Sequence, residues 1–240
     1  MLLQSNQAYL IEIMGQQQVE TETSAGVVVW FTGMSGAGKS TIARALVDRL
    51  QTSSFRATML DGDVLRAGLN SDLGFSKAER TENLRRVAHV AALFCKEGFV
   101  TVTATISPET EHRENARRII GEASFIEVFI DTPPEVCEKR DPKGLYQRAR
   151  LGEIPQFTGI ESRYQPPTHP DLTLYTQGHT VAHCVGRIVD HLVKVHWIDA
   201  KIGSQRSFAS TDPPPSAPNK VSGLSETDRP PLAPTVTVSP

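Results

Sequence analysis

The stretch Gly33-Met34-Ser35-Gly36-Ala37-Gly38-Lys39-Ser40 constrains this chain more than any other. It fits the spacing G-x-x-x-x-G-K-[ST] at every fixed position. Glycine tolerates the backbone angles that let a loop wrap a phosphate with its N–H groups pointing inward. A helix that begins near Lys39 aims the positive end of its dipole at the same point. Lys39 has the reach for β- and γ-phosphates, and the Ser40 hydroxyl suits Mg²⁺. The flanks supply the context the loop needs. Val27-Val28-Val29-Trp30-Phe31 reads as a buried strand, and Thr41 to Leu50 as an amphipathic helix with Ile42, Ala45, Leu46 and Arg49 at helical intervals. The reading is a bound nucleoside triphosphate, with residues Gly33, Met34, Ser35, Gly36, Ala37, Gly38, Lys39, Ser40 and Thr41 around its phosphates. A glycine turn without a ligand is the alternative.

Composition narrows the rest. The chain has 240 residues, 39% of them hydrophobic, enough for one sizeable core. A net charge of −2 gives no electrostatic case for nucleic acid or an anionic membrane. Cys95, Cys137 and Cys184 are far apart and lack metal-ligand spacing, so they read as reduced, buried thiols of a cytoplasmic protein. No apolar run approaches the roughly 20 residues of a membrane span. The patch Tyr9 to Met14 has no basic start and reads as neither signal peptide nor anchor. Residues 1–25 are polar and are expected to form a flexible arm. Residues 26–202 are expected to form one folded domain. Residues 203–240 hold half of the chain's 16 prolines among Ser and Thr, and are expected to be disordered.

Strand-like runs occur at Val27–Thr32, Ala57–Leu60, Val100–Thr105, Phe125–Ile130 and Leu172–Tyr175, with helical patterns between them. The clearest helix is Glu79 to Glu97, where Leu84, Val87, Ala88, Ala91, Ala92 and Cys95 share a face. Helix alternating with strand predicts an α/β fold with a parallel sheet, whose ligands bind beyond the carboxyl ends of the strands. Candidate site residues follow those ends. Asp61 and Asp63 leave the second strand, one suited to Mg²⁺ and one to accepting a proton from an attacking hydroxyl; an Asp-Gly turn is the bland alternative. Arg66, Arg80, Asn83, Arg85 and Arg86 suit an anionic acceptor, Arg85 and Arg86 more ambiguously because they flank the apolar stripe; a solvated basic face is the alternative for the whole cluster. Ser107 is placed to cap the next helix, with Pro108 at its first position. The basic segment from Arg140 through Lys143, Arg148 and Arg150 to Gly152 reads as a lid that excludes water.

Together these blocks resemble the adenylylsulfate kinase (adenosine 5′-phosphosulfate, APS, kinase) family. The resemblance rests on Gly33–Thr41, Leu60–Asp63, Gly68-Leu69-Asn70, Asp72–Ser76, Glu82–Val87, Ile106-Ser107-Pro108, Glu127–Pro133, Cys137-Glu138, Arg140–Tyr146 and Phe157–Ile160. It spans about Gly26 to Tyr175. It implies a three-layer α/β/α P-loop kinase fold with a mobile lid, and transfer of the ATP γ-phosphoryl group to the 3′-hydroxyl of APS, giving PAPS. Mg²⁺ is the implied cofactor, held by Ser40 and Asp61, and a homodimer the implied assembly. Lys39, Asp61, Asp63 and Ser107 are the implied catalytic residues, Ser107 being a phosphoserine in some members. Arg140 is implied at the ATP base. Asp63, Arg66, Phe75, Arg80, Asn83, Ile106, Ser107, Lys143, Gly144, Leu145 and Phe157 are implied at APS, with Phe75 and Phe157 sandwiching its adenine. The chain departs from the family at Val64, Thr105 and Glu109. Two competing readings are a related kinase for another small hydroxylated substrate and a non-catalytic nucleotide-binding protein.

Overall fold

The computed structural model describes residues 26–198; the expected arm (1–25) and tail (203–240) lie outside the described residues, as do residues 199–202. Strand β1 (Val27–Thr32) is buried along its whole length because it feeds two apolar layers at once. Val27, Val29 and Phe31 point into one, Val28 and Trp30 into the other. A parallel strand covered on both faces must be apolar throughout, which is why this run lacks the alternation of a half-exposed strand.

Helix α1 (Lys39–Thr52) follows, then β2 (Ala57–Asp61), α2 (Gly62–Ala67), α3 (Lys77–Lys96), β3 (Val100–Ala104), α4 (Thr110–Ile120), β4 (Phe125–Asp131), α5 (Pro134–Arg140), α6 (Leu145–Arg150), β5 (Leu172–Tyr175) and α7 (Val181–Lys194). The five strands are all parallel, in the order β2-β3-β1-β4-β5. Ile42, Leu46 and Leu50 of α1 pack with Ile188 and Leu192 of α7 on one face. Leu84, Val87, Ala88 and Ala91 of α3 pack with Ala116 of α4 on the other. The three-layer expectation holds. Each large aliphatic side chain buried this way contributes about 1.5–3 kcal/mol relative to exposure. No helix among the described residues is long and apolar enough to cross a membrane.

The order of the strands positions the site. The chain runs from β1 to one side of the sheet, then crosses to the other side of β1 at β4. The loop after β1 therefore lies where the winding reverses, the point at which parallel sheets leave a crevice.

Element limits differ from the sequence reading by one or two residues. Helix α3 starts at Lys77 rather than Glu79 because Ser76 and Glu79 form a capping box: Glu79 N–H donates to Ser76 Oγ, and Ser76 N–H donates to Glu79 Oε2. Helix α1 extends to Thr52, β2 and β4 each gain a terminal Asp, and β3 stops at Ala104, the last residue it pairs with β1.

One buried polar group is unpaired in a way that can be tested. Thr101 of β3 is fully buried, and among the described residues its hydroxyl has no hydrogen-bond partner. Thr101→Val keeps the shape and removes the desolvation cost, so it is expected to raise unfolding stability by about 1 kcal/mol. Urea denaturation checks this; a loss of stability would show that the hydroxyl is satisfied in solution.

Candidate active site

The ends of all five strands meet at one rim around a cleft of about 940 Å³. One side of it is built by the loop after β1. Gly36 and Gly38 have φ of 74° and 105°, and a Cβ on Gly36 would stand 2.6 Å from the Cys137 carbonyl oxygen. Only glycine fits there. The turn brings the carbonyls of Gly33 and Met34 back to Lys39, whose Nζ donates to them at 2.8 and 2.7 Å. Burial pushes the Lys39 amine down to about 8, with nearby Asp63 and Asp61 opposing the shift less strongly. Helix α1 starts at Lys39, and its N-cap Gly38 supplies no side-chain acceptor. The first turn's N–H groups thus suit an anion.

Ser35, Gly36, Gly38, Lys39, Ser40 and Thr41 reach the cleft surface, whereas Gly33, Met34 and Ala37 shape it from behind. Ala37 is tied in by a chain of threonines. Thr132 Oγ1 donates to the Ala37 carbonyl at 3.1 Å and lies 2.6 Å from Thr176 Oγ1. Arg140 donates to Thr176 Oγ1 at 2.9 Å, so its guanidinium is pinned at the cleft edge. Thr176 and His179 also line the cleft. The sequence reading missed both, although Thr176 directly follows β5 and the strand-end rule points to it.

The two acids of β2 do different work. Asp61 is the N-cap of α2, its Oδ1 accepting from Asp63 N–H at 2.9 Å, while its Oδ2 accepts from Ser40 Oγ at 2.7 Å. Asp63 faces the cleft and forms an ion pair with Lys143 from the segment before α6. That segment is anchored: Tyr146 Oη donates to the Ser35 carbonyl at 3.0 Å, and Asp141 accepts from the N–H groups of Tyr146 and Gln147. Lys143 and Leu145 line the cleft; Gly144, at φ 63°, caps α6 behind them.

The opposite side of the cleft is assembled from loops. Phe75 is half exposed, with the Arg66 guanidinium 4.5 Å above its ring. Phe157 is buried edge-on against Tyr146 at 5.0 Å. Arg80 joins the two. It donates through Nε to the Phe75 carbonyl, and through its other nitrogens to Thr158 Oγ1 and the Gln156 carbonyl. Arg66 donates to the carbonyls of Leu73 and Gly74. Among the described residues neither arginine has an acidic partner within ion-pair distance. Burial lowers both guanidiniums from their usual value, and their mutual repulsion adds to the shift for Arg66. Two cations satisfied only by neutral oxygens favour an anionic ligand. Asn83 lines the cleft and accepts from Asn70. Arg85 and Arg86 pair with Glu82, and Arg86 also with Asp72, away from the cleft; theirs is the solvated basic face.

Ser107 is a correction. Helix α4 begins at Thr110 with Glu109 at its N-cap, so Ser107 caps nothing. It is 1% exposed and holds φ at 38°, a conformation that costs a non-glycine residue about 1–2 kcal/mol. Its hydroxyl accepts from Trp30 Nε1 at 3.0 Å and lies 3.0 Å from Thr105 Oγ1. Its carbonyl accepts from Arg113 at 2.9 Å. These bonds, the one from Trp30 spanning the sheet, outweigh the local preference of a serine before proline for a helix start. Ile106 lies beside it, its carbonyl accepting from Thr32 Oγ1 at 2.8 Å. Both line the cleft. Val64 is exposed, and Glu109 pairs with Lys77 at 3.1 Å.

Comparison with known proteins supplies the family context. The family profile described as "Adenylylsulphate kinase" matches residues 25–175. The adenylyl-sulfate kinase of Paraburkholderia xenovorans is 57% identical over 168 residues, covering 70% of this chain and 93% of its own. That of Clostridium acetobutylicum is 51% identical over 181 residues, covering 75% and 90%. Among solved structures, the Mycobacterium tuberculosis APS kinase in complex with AMPPNP and APS is 49% identical, with a TM-score of 0.68, covering 70% of this chain and 98% of its own.

The state of Lys39 gives a pH signature. Its amine is charged below about 8 and loses its proton above that. A bound triphosphate favours the charged form and raises the value again. Binding an ATP analogue is therefore expected to take up close to one proton at about pH 9 and almost none at about pH 7, with affinity falling as pH rises through 8. Calorimetry in two buffers of different ionisation enthalpy reads the uptake. No buffer dependence at the higher pH would show that Lys39 keeps its proton.

Proposed function

The chain belongs to the adenylylsulphate kinase family, and from that premise we propose that its cleft is a two-nucleotide site in which ATP and APS meet end to end. The enzyme transfers the γ-phosphoryl group of ATP to the 3′-hydroxyl of APS, giving PAPS and ADP. The observation that carries the assignment of sides is the shared cleft itself. Lys39 of the phosphate loop, Asp63, and the Arg66–Phe75–Arg80 group all face it.

The donor half is the loop Gly33–Thr41 with Arg140. Backbone N–H groups and Lys39 take the phosphates, and Arg140 lies toward the ATP base. The acceptor half is Phe75 and Phe157, which stack the APS adenine, with Arg66, Arg80, Asn83, Ile106, Ser107 and Lys143 around its sugar and anionic groups. Asp63 accepts the proton of the 3′-hydroxyl as it attacks in line, and Lys143 balances the charge there. Phosphoryl transfer rests on positioning and charge neutralisation, so Ser107 contributes as a wall of the acceptor site rather than as a covalent relay. Leu145 and the segment around it, tied to the loop through Tyr146, exclude water from the transfer.

Mg²⁺ fits the donor set. Ser40 Oγ and Asp61 Oδ2 lie 2.7 Å apart, and both are hard oxygen donors. Among the described residues there is no group of three or more metal-binding His, Cys, Asp or Glu side chains, so these two oxygens would share the ion with substrate phosphates. Bound there, Mg²⁺ supplies positive charge to the phosphate oxygens. The three buried free thiols agree with a reducing compartment such as the cytoplasm.

An ADP-release assay comparing APS with AMP and adenosine tests the acceptor; equal rates would remove the APS assignment. Lys39→Ala and Asp63→Ala are each expected to lower kcat by roughly 10²–10³-fold, since both act on charge that develops during transfer. Full activity in either variant would exclude its role. Phe75→Ala is expected to weaken APS by about 1–3 kcal/mol through lost stacking, leaving the KM for ATP unchanged. An equal rise in both KM values would show that Phe75 serves general packing.

A further inference from the structure

The buried ion pair between Arg113 of α4 and Glu127 of β4 has no part in the transfer described above. Arg113 Nε stands 2.7 Å from Glu127 Oε1, with both side chains at most 10% exposed. A pair so buried adds little stability by itself, because desolvating both charges offsets their attraction. Its consequence lies in the rest of the Arg113 fork. One terminal nitrogen donates to the Ser107 carbonyl at 2.9 Å, and the other to Thr110 Oγ1 at 3.2 Å. Ser107 needs such a hold, because its φ of 38° is disfavoured for any side chain. Other grips on this turn come from β1, with Trp30 Nε1 donating to Ser107 Oγ and Thr32 Oγ1 to the carbonyls of Ile106 and Ser107, and from the backbone, with Gly33 N–H donating to the Ile106 carbonyl and Gln165 N–H to the Pro108 carbonyl. Strand β1 thus holds the turn from one side and Gln165 holds its Pro108 end, while Arg113, aimed by Glu127, grips the Ser107 carbonyl.

We propose that Arg113 and Glu127 are positioning residues that set the acceptor wall Thr105–Pro108 through the Ser107 carbonyl. The inference rests on the reading that this wall takes APS. A planar fork suits the task, because it meets Glu127, Ser107 and Thr110 from one rigid group. The lysine alternative offers a point charge without that geometry.

The pair is best removed together, since deleting one partner leaves the other charge buried. Arg113→Met combined with Glu127→Gln is expected to raise the KM for APS by roughly tenfold or more, with the KM for ATP little changed, because misplacing a binding wall weakens the ligand it faces. Arg113→Lys retains the charge and loses the fork, so its KM for APS should fall between the two. A crystal structure of the double variant should show Ser107 leaving the left-handed region. The proposal is overturned if the double variant keeps the wild-type KM for APS, if both KM values rise equally, or if Arg113→Lys behaves as wild type. Should the double variant not fold, the Arg113→Lys comparison decides alone. If the wild-type enzyme does not turn over APS, the functional reading fails. The Ser107 conformation in the double variant then decides the positioning claim by itself.

Discussion

A buried lysine organises this enzyme. The Lys39 ammonium lies at the start of α1, hydrogen-bonded to the loop carbonyls of Gly33 and Met34, and burial works against its charge more strongly than the nearby acids support it. Those carbonyls can face it only because glycine permits the loop to turn tightly at Gly36 and Gly38. The loop lies over the middle strand of a parallel sheet, where Thr132, just after β4, holds its Ala37 carbonyl and is itself bonded to Thr176, just after β5. The cost of the buried cation is met when phosphate arrives, which makes the site selective for anions before any base is recognised.

The side of the cleft proposed to take the acceptor obeys different physics. Its walls come from the turn before α3, the turn before α4 and the segment around Phe157, which no ladder of strand hydrogen bonds connects. Side chains connect them instead. Arg80 spans from the Phe75 carbonyl to Thr158, and Arg113 from Glu127 to the Ser107 carbonyl. Arginine is used at both places because one rigid fork can bind several carbonyls at once.

The donor side was legible because its signals are local. The Gly33–Ser40 spacing, the apolar run of β1 and the stripe of α1 each lie within a few turns of chain, and β1 and β5 fall at the expected residues. The acids Asp61 and Asp63 followed from the rule that ligands collect at strand ends. Ser107 was misread because a serine before proline carries a helix-start signal, while the Trp30 and Thr32 bonds that help to override it come from residues distant in sequence. The basic run on α3 was ambiguous for the same reason. Only packing separates Arg80, which enters the cleft, from Arg85 and Arg86, which pair with Glu82.

The sequence by itself determined that a phosphate loop follows a buried strand, that the fold is α/β, and which family the downstream blocks match. Those properties rest on contiguous residues and on periodicity, which a linear chain displays directly. The tertiary structure decided which cations face the cleft, how Phe75 is tied to the segment of Phe157, and why Ser107 holds a conformation its neighbours in sequence do not favour. Those properties depend on hydrogen bonds across long stretches of chain, and they exist only once the sheet has brought its five strand ends to one rim.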